Sequence, residues 1–281
     1  MQEALDSLVD LLDLEAIEVN IFRGVSPDED RQRIFGGQVA GQALVAAART
    51  VDEGAVHSLH AYFLRPGDPK APVLYDVDRI RDGRSFTTRR VVGIQHGRAI
   101  FNLAASFHRD EPGFTHQDPA PDVARPETLK SRQEEWAEHT GPRPYWVDHD
   151  PPVELRYVTA SPLNRHEPLP PRQQVWLRAS GALPDDPVLH TCLLTYASDL
   201  TLLDTTLLPH GTSYMEGNLM MASLDHAMWF HGPFRADGWL LYDQHTPSAS
   251  GARGLATGRV FTSDGRLVAS VVQEGLIRRI G

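Results

Sequence analysis

The sequence predicts an α+β fold with two tandem copies of one unit, each a single helix packed on an antiparallel sheet. A proline-rich middle separates two flanks, each flank has one helical pattern followed by several strand patterns, and short motifs recur in the same order in both. A helix on a sheet buries its apolar stripe against one sheet face, which is a stable two-layer arrangement. Pairing the two sheets would also cover edges that one copy leaves open.

The first flank begins with glycines and continues as an Ala-rich helical pattern over residues 36–50. Alternation of apolar and polar residues then predicts strands, and Asp82-Gly83 and His96-Gly97 mark turns between them. The N-terminal unit is assigned to residues 1–112. Its predicted strands span residues 56–64, 73–79, 85–95 and 98–109.

The middle of the chain differs in composition from both flanks. Residues 111–172 contain 12 prolines, which remove backbone donors and fix φ, so no long central strand or helix is expected there. A short helix fits between Glu127 and Thr140. We therefore predict a Pro-rich connector over residues 113–172.

The second flank, residues 173–281, repeats the order of the first. A helical pattern covers residues 187–202, strands are predicted after it, and Asp264-Gly265 forms the last turn. The predicted strands span residues 219–231, 239–244, 251–262 and 266–278.

Three short motifs support a duplication. From the Ser of the first motif to the Tyr of the second and the Gly of the third, the separations are 17 and 22 residues in one half and 19 and 23 in the other. The matched motifs are Ser58-Leu59 with Ser223-Leu224, Leu74-Tyr75-Asp76 with Leu241-Tyr242-Asp243, and Gly97-Arg98 with Gly265-Arg266.

Charge and composition indicate the cellular compartment and restrict the classes of binding partner. Lys and Arg total 27 against 37 for Asp and Glu, a net charge of -10, which argues against nucleic acid as a partner. Cys192 is the only cysteine, which fits a reducing compartment. The sequence has no secretory signal pattern, no apolar run of about 20 residues, and no simple peroxisomal address in Arg278-Arg-Ile-Gly281. We expect a cytoplasmic protein without membrane insertion.

Several catalytic motifs are absent from the sequence, namely the Gly-x-Ser-x-Gly elbow, the His-Glu-x-x-His zinc motif and the phosphate-binding P-loop. Asp148-His-Asp150 has metal-ligand residue types, but a single cluster on a Pro-rich connector favours a solvated turn, and we predict no metal. The neighbouring Tyr145 and Trp146 are interpreted as packing residues.

The segment 221–231 places polar side chains among large apolar ones. Such groups need partners when buried. Asp225 and His226 could form a catalytic pair, or they could hold the strand to its neighbours through hydrogen bonds. The residues alone leave both interpretations open.

Five ordered motifs resemble the acyl-CoA thioesterase II (TesB-like) family of double-hotdog enzymes, over residues 7–110 and 173–280. They are Gly36-Gly-Gln-Val-Ala-Gly-Gln-Ala-Leu, Tyr62-Phe-Leu-Arg-Pro-Gly, Arg81-Asp-Gly-Arg-Ser-Phe, Ser223-Leu-Asp-His-Ala-Met-Trp-Phe-His and Gln273-Glu-Gly.

The resemblance implies two tandem hotdog units and hydrolysis of fatty acyl-CoA to free fatty acid and coenzyme A, with no cofactor and with association into homodimers or homotetramers. It also implies a water held by an Asp, a Ser or Thr, and a Gln, which match Asp199, Ser223 and Gln273. On the repeat offset, the counterparts of Gln273 and Asp199 fall near Ala105 and residues 34–37. The first half thus lacks two of the three groups, which predicts one active site per chain, formed mainly by the second half.

Thioester hydrolysis needs a positioned water, a proton acceptor and donors near the carbonyl oxygen. Asp199 is the expected acceptor, while Ser223 and the Gln273 amide would orient the water from other directions. Direct attack by Asp199, through an anhydride, stays open. Two other functions also stay open, an acyl-CoA hydratase or dehydratase that uses Asp225 and His226, and a non-catalytic acyl-CoA-binding hotdog protein.

Two further sets of residues are candidates for substrate contacts. Gly36 and Gly37, before the first helix, could present N–H groups to a thioester or a phosphate, or could serve close helix packing. The phosphates of coenzyme A should meet arginines. The candidates are Arg65, Arg81, Arg84, Arg89, Arg90 and Arg253.

Overall fold

The computed structural model describes residues 1–27, 32–139, 147 and 149–280. The helices are α1 (Gln2–Leu12), α2 (Gly36–Ala48), α3 (Arg132–Glu138) and α4 (Pro187–Ser198). The strands of the N-terminal half are β1 (Glu15–Glu18), β2 (Ile21–Gly24), β3 (Ala55–Phe63), β4 (Val73–Asp82), β5 (Phe86–Gln95) and β6 (Arg98–His108). The remaining strands are β7 (Val153–Tyr157), β8 (Arg172–Ala179), β9 (Leu219–Ser223), β10 (Asp225–Phe230), β11 (Leu240–Ser250), β12 (Arg253–Thr262) and β13 (Leu267–Arg279).

The strands of the described residues form one continuous sheet in the order β1-β2-β4-β5-β6-β3-β10-β13-β12-β11-β8-β7, with β9 also paired to β13. The two halves meet where β3 and β10 run antiparallel, with Leu59 opposite Met228. Both residues are fully buried, so the junction is part of the core. The sheets of the two units are therefore paired edge to edge, which covers the open edges.

The two long helices lie against each other beneath this sheet. Their backbones approach closely, because a Cβ added to Gly37 of α2 would lie 2.4 Å from the carbonyl oxygen of Tyr196 in α4. Only glycine permits that approach. Gly37 therefore serves helix packing, which was one of its two interpretations.

The duplication extends to individual side chains. Tyr75 on β4 lies opposite Gly93 on β5, and Tyr242 on β11 lies opposite Val260 on β12. Both tyrosines are buried, and in each half a bulge directly follows the facing residue, between Gly93 and Ile94 and between Val260 and Phe261. These matched pairs fit the tandem α+β double hotdog that the sequence predicts.

Some elements differ from the sequence predictions. The pattern over residues 219–231 is two strands separated at Leu224, and α1, β1, β2 and β8 were not predicted. The connector contains the short helix α3, with a capping box of Ser131 and Glu134, but it also contains strand β7. β7 pairs with β8 at the end of the sheet, where neighbouring prolines are tolerated. Of the connector residues discussed above, Tyr145, Trp146 and Asp148 lie outside the described residues.

Neither a membrane-length apolar helix nor a group of three possible metal ligands occurs in the described part of the chain.

Candidate active site

The three residues predicted to form the site come together at the end of α4. Asp199 is the C-cap of that helix, and its side chain is partly exposed. The Ser223 hydroxyl donates a hydrogen bond to Asp199 Oδ1 at 3.0 Å. The Gln273 amide Nε2 donates to the same oxygen at 2.5 Å. One carboxylate oxygen thus receives two donors from two strands.

A bulge at Leu224 lets Ser223 face α4. β9 pairs with β13 in the register Ser223 to Gly275, whereas β10 pairs with it in the register Ala227 to Val272, so one extra residue lies between the two strands. Such a bulge changes which face of the sheet a side chain occupies. Ser223 consequently lies on the same side as His226, although their spacing of three would otherwise place them on opposite faces.

Asp225 and His226 have separate structural partners. Asp225 Oδ1 accepts a hydrogen bond of 2.7 Å from the backbone N–H of Glu274, which the bulge leaves without its strand partner. His226 Nε2 lies 2.8 Å from Ser198 Oγ at the end of α4. Within the described residues no hydrogen bond joins Asp225 to His226. These contacts confirm the interpretation that Asp225 and His226 hold the strand to its neighbours through hydrogen bonds.

Burial lowers the pKa of His226, and the nearby carboxylates of Asp199 and Asp225 oppose that shift. The imidazole is therefore neutral at pH 7. It is 1 % exposed and lies behind Asp199 in the core. A neutral, buried ring in that position supports the end of α4 and does not present a proton to a ligand.

The start of α2 lies next to the Asp199 carboxylate. A Cβ added to Gly36 would lie 2.7 Å from Asp199 Oδ2 and 2.9 Å from the Phe63 ring. Within the described residues no side chain caps this helix, so its first N–H groups are free of side-chain acceptors. Because a helix N-terminus carries partial positive charge, it favours a negative charge nearby.

A cavity of about 650 Å³ opens beside these groups. Asp199 and Ser223 line it together with Gly36 and Phe63, so both halves of the chain contribute to its wall. Gln273 is 0 % exposed and does not line the cavity. The structure thus corrects two expectations: Gln273 contacts Asp199 and not the cavity, and the first half supplies an equal part of the site.

The Gln273 amide has a second distinctive feature. None of the described residues donates to its carbonyl oxygen, Oε1. An unpaired buried oxygen is costly, typically about 1–3 kcal/mol. Burying this amide therefore lowers the stability of the folded protein. The hydrogen bond that the amide makes there is the one to Asp199.

Arginines at the cavity come from the N-terminal half. Arg33 and Arg65 are both exposed and line it. Arg65 was a candidate, whereas Arg33 was not predicted. It follows a run of acidic residues, so nothing in the local pattern distinguishes it from a solvated charge.

Other candidate arginines have structural partners. Arg89 is buried and donates to Thr50 Oγ1 at 2.8 Å and to Asp82 at 2.5 Å. Arg253 pairs with Glu274 at 2.9 Å. Arg90 pairs likewise, with Asp78 at 3.1 Å. None of these three lines the cavity.

The counterparts of the site residues in the first half follow from the strand registers. Val260 pairs with Ala269 just before a bulge between β12 and β13, and Gly93 pairs with Phe101 just before the matching bulge between β5 and β6. Four residues further along β13 and β6, Gln273 pairs with Ala256 and Ala105 pairs with Arg89, so Ala105 is the counterpart of Gln273, as predicted. The counterpart of Asp199 is Arg49, the C-cap of α2, and not a residue within 34–37.

Comparison with known proteins agrees with this geometry. A family model described as Acyl-CoA thioesterase matches residues 153–276, and one described as Acyl-CoA thioesterase N-terminal domain matches residues 26–108. The chain is 43% identical to acyl-coenzyme A thioesterase 8 of Mus musculus, over 95% of this chain and 88% of the relative. It is 40% identical to acyl-CoA thioesterase 2 of Haemophilus influenzae, over 99% of both chains.

Among solved structures, the acyl-CoA thioesterase II TesB2 of Mycobacterium marinum is 48% identical, with a TM-score of 0.81 over 97% of this chain and 98% of that one. A tesB protein of Mycobacterium avium subs paratuberculosis is 32% identical, also with a TM-score of 0.81, over 98% and 99%. With two family models covering most of the chain and relatives this similar over nearly its full length, the chain belongs to the acyl-CoA thioesterase family.

Proposed function

We propose that this acyl-CoA thioesterase hydrolyses fatty acyl-CoA to fatty acid and coenzyme A, with a water activated by Asp199. The observation that carries the proposal is the position of the Asp199 carboxylate. It is fixed by two donors, it lines a cavity, and it adjoins the start of a helix without a side-chain cap. A proton acceptor and oxyanion donors are the two requirements of thioester hydrolysis.

The water would lie between Asp199 and Ser223. Ser223 donates its hydroxyl hydrogen to Asp199, so its lone pairs are free to accept one hydrogen of the water. The other hydrogen of the water points to the carboxylate, which accepts it as the water oxygen attacks the thioester carbon. A hydroxyl residue at position 223 therefore orients the nucleophile, and the carboxylate is the general base.

Gln273 acts through Asp199. Because its side chain is wholly buried, it cannot touch the substrate, and its one observed donor bond goes to Asp199 Oδ1. That bond holds the carboxylate in one orientation. Gln273 is a positioning residue in this mechanism.

Negative charge on the thioester oxygen would develop near the first N–H groups of α2. Gly36 lines the cavity next to Asp199, and the absence of a Cβ there leaves room for the carbonyl group. Backbone donors fixed at a helix N-terminus need no reorganisation as the charge forms. The tetrahedral intermediate then expels coenzyme A as a thiolate, which takes the proton held by Asp199, because a thiol has a pKa of about 8.5.

Charge also orients the substrate in the cavity. Arg33 and Arg65 supply positive charge on the side contributed by the N-terminal half, which suits the phosphates of coenzyme A. The protein has a net charge of -10, so this local pair has to act against the overall field. Association into homodimers or homotetramers and a cytoplasmic location remain predictions that rest on the sequence.

Release of free thiol from a panel of acyl-CoA esters, from short chains to palmitoyl-CoA, tests this function. We expect turnover of fatty acyl-CoA without added metal or cofactor, and equal amounts of thiol and fatty acid. No thiol from any chain length would overturn the proposal. Samples quenched within milliseconds should carry no acyl group on the protein, whereas an acyl adduct at Asp199 would indicate the anhydride route.

A further inference from the structure

The bulge at Leu224 lies between the two strands that supply donors to Asp199. Ser223 on β9 directly precedes the bulge, and Gln273 precedes Glu274, which lies beside the bulge on β13. The backbone N–H of Leu224 donates to the Glu274 carbonyl at 2.9 Å, so one main-chain bond joins the strands there. The spacing between the two donors therefore depends on the contacts that are made at the bulge.

The Asp225 carboxylate supplies a second bond across the bulge. Its Oδ1 accepts a hydrogen bond from the backbone N–H of Glu274 at 2.7 Å, in the place of a main-chain carbonyl. That N–H belongs to the peptide group that joins Gln273 to Glu274, and Asp225 is two residues after Ser223. A carboxylate makes a stronger bond to a backbone N–H than a neutral acceptor does. One side chain thus connects the backbone next to each of the two donors.

The Asp225 carboxylate lies on the face of the sheet opposite the site. Side chains alternate along a strand, so Asp225 points away from the face on which the buried His226 contacts α4. Asp225 is half-buried and does not line the cavity. It is therefore not placed to exchange a proton with the substrate, and an effect on catalysis has to act through Ser223 and Gln273.

The N-terminal half has a similar bulge without a carboxylate. The pairing of β3 with β6 shifts register at His57, and Ser58 directly follows it, as Asp225 follows the bulge of the C-terminal half. The sheet therefore forms such a bulge without an aspartate. The aspartate occurs in the half that holds Asp199.

From these contacts we propose that Asp225 is a positioning residue for the hydrolysis. Its bond to the Glu274 N–H fixes β13 against the segment that carries Ser223, so that Ser223 and Gln273 both donate to Asp199 Oδ1. The inference rests on the proposed function, because it assumes that Asp199 is the base. Without this bond the two donors would shift apart, and the carboxylate would lose its fixed orientation.

Three substitutions of Asp225 separate the hydrogen bond from the charge. In Asp225→Leu, which removes the acceptor, we expect kcat to fall about 10-fold, the usual effect of one hydrogen bond to a charged group. KM should change little, since Asp225 does not line the cavity. Asp225→Asn keeps an acceptor oxygen and should retain kcat within about threefold of the wild type. Asp225→Glu keeps the charge but displaces it, and should fall below Asp225→Asn. Steady-state thiol release measures these values.

Two results would overturn the proposal. One is a kcat of Asp225→Leu equal to that of the wild type. The other is a kcat of Asp225→Glu above that of Asp225→Asn, which would mean that the charge acts and not the hydrogen bond. The order of these two polar variants decides the question even if Asp225→Leu does not fold.

Coupling to Gln273 tests how the effect reaches the base. If Asp225 acts by holding the two donors, much of its effect disappears once Gln273 no longer bonds to Asp199. In the Gln273→Leu background, Asp225→Leu should therefore lower kcat by only about threefold or less. The same factor in both backgrounds would show that Asp225 acts independently of Gln273, which would contradict the proposal.

Asp186→Leu is the matched control. Asp186 is the N-cap of α4, and its side chain accepts from the Val188 N–H at 2.9 Å, at the end of the helix opposite Asp199. This variant should lower the melting temperature and leave kcat unchanged, whereas an equal fall of kcat in both variants would make the Asp225 effect a general loss of stability. Absence of thiol release by the wild type would instead be a failure of the proposed function.

Discussion

The two halves of the chain end their long helices with opposite charges. In the C-terminal half, α4 ends at Asp199, which receives Ser223 and Gln273 as donors. In the N-terminal half, α2 ends at Arg49, whose guanidinium donates to the Leu14 carbonyl and to Asp13. A cation at a helix C-terminus is the favourable arrangement and an anion is not. The half that carries the proposed base therefore has a local electrostatic cost that the other half avoids.

The same contrast occurs on the strands. Gln273 and its counterpart Ala105 are both buried, but one is an amide whose carbonyl oxygen receives no donor from the described residues, and the other is a small apolar side chain. The buried tyrosines Tyr75 and Tyr242, and the strand bulges that follow their facing residues, by contrast, occur in both halves. Residues that build the fold are thus shared between the halves, and residues that build the site differ.

Replacing Gln273 with an apolar residue of similar size tests this distinction with a large effect. In Gln273→Leu, we expect kcat to fall about 10²–10³-fold, the usual cost of losing a positioning donor, because Asp199 loses the bond that orients it. KM should change little, since Gln273 does not line the cavity. The melting temperature should not fall, because an unpaired buried oxygen is removed. Steady-state kinetics and thermal denaturation measure these quantities.

A lowered melting temperature with unchanged kcat would mean that Gln273 is an ordinary structural residue. The amide of Gln38, which bonds to Val25 and Ser26, provides the control. Gln38→Leu should alter stability and leave kcat unchanged.

Gly36→Ala tests the contribution of the N-terminal half to the site. We expect kcat/KM to fall by up to about 10²-fold, because a displacement of about 1 Å at the reacting groups typically has that effect. The added Cβ would lie 2.7 Å from Asp199 Oδ2, so the carboxylate or the helix start has to shift. The matched control is Gly41→Ala in the same helix, where the nearest atoms belong to Leu12 and Cys192. Equal activity of both variants would remove the start of α2 from the site.

Ser223→Ala has the smallest expected effect, a decrease in kcat of about tenfold. The variant loses the hydroxyl that bonds to Asp199 and to the water, while Asp199 keeps its hydrogen bond from Gln273. Ser223→Thr restores the hydroxyl and should retain activity within a few-fold. If Ala and Thr gave the same rate, the hydroxyl would have no part in orienting the water. Ser270→Ala, on a strand serine that bonds to His231, is the control.

Much of the fold follows from local patterns. The hairpins β4 to β6 and β11 to β13 have alternating side chains and turn residues with positive φ at Gly97 and Gly265, so most of their bounds could be predicted within two residues. β4 and β11 instead extend further than predicted, to Asp82 and Ser250. The edge strands β1 and β2 are four residues each, and β7 lies among prolines, so their patterns are too short to distinguish from loops.

Motif resemblance identified the three residues that meet at the end of α4, but their geometry could not be predicted from the sequence. Asp199, Ser223 and Gln273 were found from motif resemblance, whereas the bulge at Leu224 that aligns them depends on strand pairing across the sheet. The constant offset between halves holds for Gln273 and Ala105, which lie at matching positions of β13 and β6, but fails for Asp199, whose counterpart at the end of α2 is Arg49.

The central claim is that Asp199 of the C-terminal half is the base of a site whose cavity wall both halves form. The most direct measurement is single-turnover hydrolysis of a fatty acyl-CoA by Asp199→Asn, compared with the wild type and with Asp185→Asn, an exposed aspartate before α4 that pairs with Arg235. We predict a rate lower by about 10²–10⁴-fold in Asp199→Asn, as expected for a general base, and an unchanged rate in Asp185→Asn. A rate for Asp199→Asn within a few-fold of the wild type would contradict the claim.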